Sequence, residues 1–322
     1  MFSFFKKEGK IKDVSTIAFY NIENLFDTVD DPKTLDDDFT PKGIKHWNKK
    51  RYKNKIHKLS NVISQIGTEK SHYPPAILGL VEVENSTVLD DLLQSKHLKN
   101  HPYAYAHFDS PDERGIDVAL LYHKQQFKFI DAKTYPIFLV ETNGLRDYTR
   151  DILLVKGKLN GELIYVLVNH WPSRRSGDDE TEFKRIQASN KLVSIVETIT
   201  FLDENAKLII MGDFNDDPTS KSISNLIKKG FYNPMQRLLD TGKGSLNHQH
   251  EWHIFDQILI SKNFLEENKN GYRFKYAEVF DRHFLREWSG KFKGNPFRTY
   301  SGKKYLGGAS DHFPVYIYLQ KQ

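Results

Sequence analysis

The residues of this chain with the most chemistry in them stand where apolar runs stop. Leu208-Ile209-Ile210-Met211-Gly212 is such a run, broken by a glycine, and it delivers Asp213, Asn215, Asp216 and Asp217 in quick succession. A carboxylate and an amide two residues apart on an extended chain point to one side, so Asp213 and Asn215 are expected to act together on one substrate atom. The pattern recurs across the chain. Asn21 and Glu23 follow an apolar stretch, as do Glu82 and His170, while Asp256 opens one and Asp311 and His312 stand just before the last. Carboxylates and amides without thiolates favour a hard cation, Mg²⁺ or Mn²⁺ first, with Ca²⁺ compatible with the same oxygen donors. The two histidines would supply proton transfer or hydrogen bonds to an oxyanion.

Strands and helices must bring these residues together. Thr16 to Tyr20, Pro75 to Val81, Tyr103 to Phe108, Asp117 to Tyr122, Phe127 to Ile130, Ile152 to Lys158, Leu163 to Val168, Phe255 to Ile260, Tyr276 to Phe280 and Pro314 to Leu319 have the composition of strands. Asn160-Gly161 is a tight-hairpin signal. Asn48 to Ile66 is expected to be helical, because Tyr52, Ile56, Leu59, Ile63 and Ile66 share one stripe, and helices are also expected over Val88 to Leu98, Asp179 to Leu202 and Ser220 to Lys228. Strands separated by helices and hairpins can pack as two sheets with helices outside, which would gather the polar strand ends on one rim. The Asp27 to Gly43 stretch lacks the spacing of a calcium loop and is expected to be solvated, as is Asn247 to His250, whose histidines do not match a zinc pattern.

Composition narrows the chemistry further. The 322-residue chain has no cysteine, which excludes thiol catalysis, disulfides and cysteine-ligated zinc or iron–sulfur centres. Its net charge of +5 is compatible with a phosphate-bearing partner without being a cationic coat. Between Arg282 and Tyr305, basic residues including Arg298 interleave with Trp288, Phe292, Phe297 and Tyr300, a mixture suited to phosphate contact and base stacking. Arg174 and Arg175, just after His170, suit a phosphate as well. No repeat or composition break divides the chain, so one domain over residues 1–322 is expected, with 1–14 a flexible segment. The N-terminus lacks a signal-peptide pattern and no apolar run reaches membrane length, so a monomeric, cytoplasmic protein without stable membrane insertion or a protein partner is expected.

Taken in order, Tyr20-Asn21-Ile22-Glu23, Leu80-Val81-Glu82, a histidine after a strand at His170, Gly212-Asp213-Phe214-Asn215, Asp256 before an apolar strand and Ser310-Asp311-His312 resemble the endonuclease/exonuclease/phosphatase superfamily. The likeness spans nearly the whole chain. Its wording, with Arg114-Gly115-Ile116-Asp117 and Asn169-His170-Trp171-Pro172, is similar to a bacterial, nuclease-like branch. The resemblance implies a four-layer α/β sandwich, two stacked and mainly antiparallel sheets flanked by helices. It implies Glu82 as main metal ligand, with Asn21, Glu23 and Asp311 around the metal. Asp213 would position or deprotonate water, Asn215 would hold nucleophile or phosphate, and His312, oriented by Asp256, would bind the scissile phosphate. His170 argues against a dedicated abasic-site endonuclease, which by the same resemblance carries asparagine there. Glu84 competes with Glu82 as ligand, and Asp117 either orients His170 or caps its own strand.

The expected activity is therefore metal-dependent hydrolysis of phosphodiesters, with nucleic acid the leading substrate. A phospholipid or inositol-phosphate hydrolase is the alternative. A binding module that kept the fold and lost catalysis would show eroded metal and water-handling positions, and none is visible in the sequence.

Overall fold

The structure is a computed structural model and describes residues 13–140, 144–174, 177–267 and 271–322. Two six-stranded sheets form its centre. The strands are, in chain order, β1 (Val14–Leu25), β2 (Ile77–Val83), β3 (Tyr103–His107), β4 (Asp117–His123), β5 (Phe127–Tyr135), β6 (Ile152–Leu159), β7 (Glu162–His170), β8 (Leu208–Asp213), β9 (Phe231–Tyr232), β10 (Asp256–Ser261), β11 (Tyr272–Val279) and β12 (Val315–Lys321). The first sheet runs β11-β12-β1-β2-β4-β3 and the second β9-β10-β8-β7-β6-β5. In each, the only parallel pairing is central, β1 with β2 and β7 with β8, and the others are antiparallel.

That arrangement explains why polar residues on both sides of apolar runs meet. Parallel strands contribute their C-terminal ends to one rim, and an antiparallel neighbour contributes its start. Asp213 therefore lies opposite both His170, at the end of β7, and Asp256, at the start of β10. On the first sheet β12 begins opposite the end of β1, with Val315 facing Phe19, so the preceding Asp311 and His312 fall at the same rim.

The two-residue period of the strands divides the apolar side chains between layers. Ile209 and Met211 of β8 enter the core between the sheets with Phe19, Val166 and Ile258, whereas Leu208 and Ile210 turn outward. There they meet Leu192, Ile195 and Val196 of α3 (Asp178–Leu202) and Ile223 and Leu226 of α4 (Lys221–Lys228). Leu59 and Ile63 of α1 (Lys49–Ile63) and Leu89 and Leu92 of α2 (Ser86–Leu93) belong to the core of the first sheet. Helices thus flank both sheets, the expected four layers.

Element edges move for local reasons. Asn48 is the cap of α1, accepting from the amides of Lys50 and Arg51. Asn85 caps α2, which starts earlier than the expected Val88 and stops at Leu93, where the Ser95 hydroxyl takes the Leu92 carbonyl at 2.6 Å. Asn160 and Gly161 adopt φ of 43° and 96°, the left-handed pair of a two-residue hairpin. The sequence reading missed β9 and a short helix, Met235–Asp240, and the histidine-bearing stretch is a small hairpin of Leu246–His248 with Glu251–His253. No helix among the described residues is long and apolar enough to cross a membrane.

Gly212 sits at the tightest point of the central parallel pair: a Cβ there would lie 2.4 Å from the backbone oxygen of Asn169. Backbone cannot swing aside as a side chain can. Gly212→Ala is expected to cost about 1–3 kcal/mol, the usual penalty of overpacking, and to displace the adjoining Asp213. Urea denaturation measures the first effect, and an unchanged midpoint would show that β7 and β8 separate freely.

Candidate active site at the shared rim

On the first sheet the site is made by irregular backbone. Val81 and Val83 pair with Val118 and Asp117 of β4, so Glu82 is an extra residue bulged out of the ladder, with φ of 66°. Across from it the end of β1 loops out between Asn21 and Leu25, and Glu23 and Asn24 have φ of 50° and 52°. Left-handed conformations at three non-glycine residues cost energy, and here they cluster where polar side chains must be aimed. Glu82 is held by the Asn24 amide, which donates to Oε2 at 2.8 Å. Arg114 in turn donates to the Asn24 side-chain oxygen at 2.5 Å.

Asn21 reaches across to the second sheet. Its Nδ2 donates to Asp213 Oδ2 at 2.9 Å and lies 3.4 Å from Glu82 Oε1, while its Oδ1 accepts the Glu23 amide at 3.0 Å. His170 Nε2 stands 3.8 Å from Asp213 and 4.0 Å from Glu82. Two carboxylates from different sheets therefore face the same amide and the same ring. Asp213 pays in its acidity: burial first, then the charge of Asp256, pushes its pKa up to about 6.

His312 puts Nδ1 2.7 Å from Asp256 Oδ2, and Asp256 is fully buried. Burial alone would lower the imidazole pKa, but Asp256, then Asp311 and Asp213, outweigh it and raise it well above the ordinary value. Asp311 receives Arg298 at 2.6 Å. Burial opposes its charge, yet His312, Arg298 and Lys55 together hold its carboxyl below the usual aspartate range.

Most of the other expected site residues are held by partners at or near the rim. Glu23 accepts the amides of Thr299 and Tyr300, at 2.6 and 3.2 Å, so its longer side chain fastens the segment carrying Arg298. Asn215, with φ of 50°, donates Nδ2 to the Trp171 carbonyl at 3.0 Å and its own amide to Asp213 Oδ1 at 2.9 Å. Arg174 is bound to Asp216 at 2.8 Å and to the Asn215 carbonyl at 2.7 Å, beside the fully buried Arg185 on the same carboxylate. Arg175 lies outside the described residues. Trp288 is 74 % exposed, on the surface of the basic-aromatic segment. Trp171 is fully buried and meets Phe214 edge-on, a packing role. Glu84 takes the Asp27 amide, and burial lifts its pKa to about 8. Asp117 accepts the Ser110 amide at 2.9 Å and faces His107 at 3.3 Å.

One residue escaped the sequence reading. Lys55 of α1 is 1 % exposed and donates to the Glu23 carbonyl, the Thr299 hydroxyl and the Ala309 carbonyl at 3.0, 2.5 and 2.7 Å. Its place in the helical stripe was the available signal: Lys55 precedes Ile56 and falls three residues after Tyr52, on the apolar side.

The donor chemistry suits a hard divalent cation. Glu82 and Asp213 gather negative charge around one amide, and Asp213, Asp256 and His312 bring ligand atoms within 4.8 Å of one another, a cluster that could hold a metal. Asp256 Oδ1 is buried without a hydrogen-bond partner among the described residues. An imidazole kept charged has no lone pair to give, so His312 is the poorest ligand of that trio.

Two mainly antiparallel sheets, flanked by helices and carrying carboxylates and histidines on one rim, define a phosphoester hydrolase of the deoxyribonuclease I-like type. A family model described as Endonuclease/Exonuclease/phosphatase family matches residues 16–321, and the chain belongs to that family. Enzymes of this family commonly use divalent metals. No curated protein matches the chain in sequence. Among solved structures, a mannosyl-6-phosphatase of Bacteroides thetaiotaomicron has 18 % identity and a TM-score of 0.56, covering 95 % of this chain and 99 % of its own. The human Nocturnin catalytic domain with bound sulfate has 16 % identity and a TM-score of 0.57, with 97 % and 96 % covered. TDP2 of D. rerio complexed with single-strand DNA product has 14 % identity and a TM-score of 0.57, with 96 % and 100 % covered. At these identities the likeness is one of fold.

Asp256→Asn should release the His312 proton. The wild-type ring is expected to remain protonated above pH 6.5, whereas the variant, without the largest raising charge, is expected to lose its proton at lower pH than the wild type, as NMR titration of the imidazole would show. A histidine whose folded pKa is raised adds stability that is complete below its unfolded pKa and is lost as pH rises through the folded one. The variant should therefore lose most stability below pH 6.5 and least in alkali; equal losses across the range would contradict a charged His312.

Proposed function

We propose that the chain is a Mg²⁺- or Mn²⁺-dependent phosphodiesterase acting on nucleic acid. The observation that carries this reading is the meeting of Glu82, Asp213 and His170 around the Asn21 amide, with the Asp256–His312 pair beside them. Glu82 and Asn21 would hold the cation, with Asp311 supporting it. The bound cation polarises the phosphoryl oxygen and stabilises the leaving oxygen.

The remaining work falls to the chain's own groups. Asp213, with its pKa near 6, is a carboxylate at neutral pH and basic enough to take the proton of the attacking water. Asn215 fixes that carboxylate through its amide. His312, kept charged by Asp256, donates to a non-bridging oxygen, and His170 stabilises the charge that develops there. Half-exposed Arg298 and exposed Trp288 and Phe292 lie on one segment beside this rim, a surface for a phosphate backbone and stacked bases.

A second reading is favoured by one feature. A pocket of about 220 Å³ beside Arg298 and Asp311, lined also by His250, Phe292 and Asn295, would take a single phosphorylated sugar. Hydrolysis of supercoiled plasmid, single-stranded DNA, RNA, sphingomyelin, an inositol polyphosphate and a hexose phosphate, each with Mg²⁺ or Mn²⁺, separates these readings.

Asp213→Ala and His312→Ala are expected to lower kcat by about 10²–10⁴-fold each, and EDTA to abolish the remainder. Because Asp213 works as a carboxylate, kcat/KM should fall as pH drops below about 6. Activity confined to the sugar phosphate would replace the nuclease reading, and cleavage indifferent to EDTA and both substitutions would remove it.

A further inference from the structure

Further along the same rim, at the edge of the first sheet beyond Glu82, His107 at the end of β3, Asp117 at the start of β4 and Asp109 in the loop between them offer ligand atoms within 4.8 Å of one another. The His107 side chain is 4 % exposed, and its Nε2 makes no hydrogen bond among the described residues, although Asp117 Oδ2 is 3.3 Å away. A protonated ring would make this contact an ion pair, and a metal ion in the proton's place would make the two groups co-ligands. Two ligands on one ion, at bonds of about 2.0–2.1 Å, are separated by about 3.0 Å at right angles and about 3.4 Å in a tetrahedron. The observed separation falls between these.

The surroundings agree. Asp117 Oδ1 is already fixed by the amide and hydroxyl of Ser110, leaving Oδ2 turned toward His107, as outer hydrogen bonds orient a ligating carboxylate. Asp109 is exposed, free to swing in as the third ligand, and opens on a cleft of about 910 Å³ lined by Asp27, Asp30, Asp31 and Glu113, with Lys33 the one cation among the described residues that line it. Such a cleft attracts cations.

We propose that His107, Asp109 and Asp117 form a second metal site, for an imidazole-preferring transition-metal dication such as Zn²⁺. An imidazole ligand disfavours Mg²⁺ and Ca²⁺, which prefer oxygen alone, so this site and the oxygen-rich catalytic one would select different ions. Its role follows from what the loop carries. Arg114, between Asp109 and Asp117, donates to Asn24, whose amide holds Glu82, and Asp112 is paired with Arg150, which also binds the Trp171 carbonyl. Drawing His107, Asp109 and Asp117 together fixes both ends of that loop.

Equilibrium dialysis of the full chain against Zn²⁺, with Mg²⁺ in excess to fill the catalytic site, tests this. Wild type and His312→Gln are expected to bind one Zn²⁺ per chain with equal affinity, and His107→Gln to lose it. Asp109→Asn, an exposed change that leaves the fold intact, should weaken binding by about tenfold or more. Zn²⁺ should raise the Tm of the wild type and not of His107→Gln. Retention of the Zn²⁺ by both His107→Gln and Asp109→Asn, its loss only in His312→Gln, or no bound Zn²⁺ in the wild type would each overturn the proposal.

Discussion

The side chain of Asn21 is where the two sheets meet chemically, and the rest of the rim depends on it. A neutral amide donor is the group that can sit between Asp213 of one sheet and Glu82 of the other without adding charge of its own. A lysine there would neutralise the carboxylates and leave no demand for a cation. A hydrophobic residue would leave Glu82 only the Asn24 amide and Asp213 only the Asn215 amide among the described residues, and would remove the donor the two share. The amide orders the charges and leaves their repulsion in being, which is what a divalent ion can exploit.

Everything that positions Asn21 is backbone irregularity or a contact far away in sequence. The bulge at Glu82, the left-handed residues Glu23 and Asn24, and the tie from Glu23 to Thr299 and Tyr300 all act within one short turn of chain. Lys55 completes the tie from beneath. Burial pulls its pKa down to about 8 while the charge of Glu23 opposes that fall, and its three acceptors come from three separate segments. A buried cation satisfied in this way is demanding about geometry, since each lost acceptor exposes the full desolvation cost of the ion. Rigidity at the rim is thus drawn from the buried side of α1.

Much of this was legible in the sequence because the signals were local. An apolar run ending in Gly212-Asp213, or a histidine closing a strand at His170, announces itself through the period of two and the turn residues beside it. Two sheets with helices outside were a packing those runs allowed, and the four-layer order was implied by the family resemblance. Register at the bulge was not legible, because an extra residue in a ladder is set by the neighbouring strand: Val81 and Val83 alternate in the sequence like any others, and only β4 shows that Glu82 stands outside the count. The pairing of Arg174 was hidden for a related reason: its partner Asp216 is distant in the chain and is shared with Arg185.

The charged pairs around the rim also show how one acidic residue can differ from its neighbour. Asp213 and Asp311 are both close to His312 and both subject to burial, yet one is pushed up to about 6 and the other held low. The difference lies in the cations that reach each of them. Asp311 has Arg298 in direct contact and Lys55 within electrostatic range, whereas Asp213 has neutral amides and the repulsion of Asp256. Environments that drive two carboxyls apart assign them different chemistry. A carboxyl held ionised at all working pH values suits a permanent electrostatic task, and one poised near neutrality suits the exchange of a proton. The positions of Arg298 and Lys55, more than the identities of the aspartates, therefore decide which of the two can serve as a base.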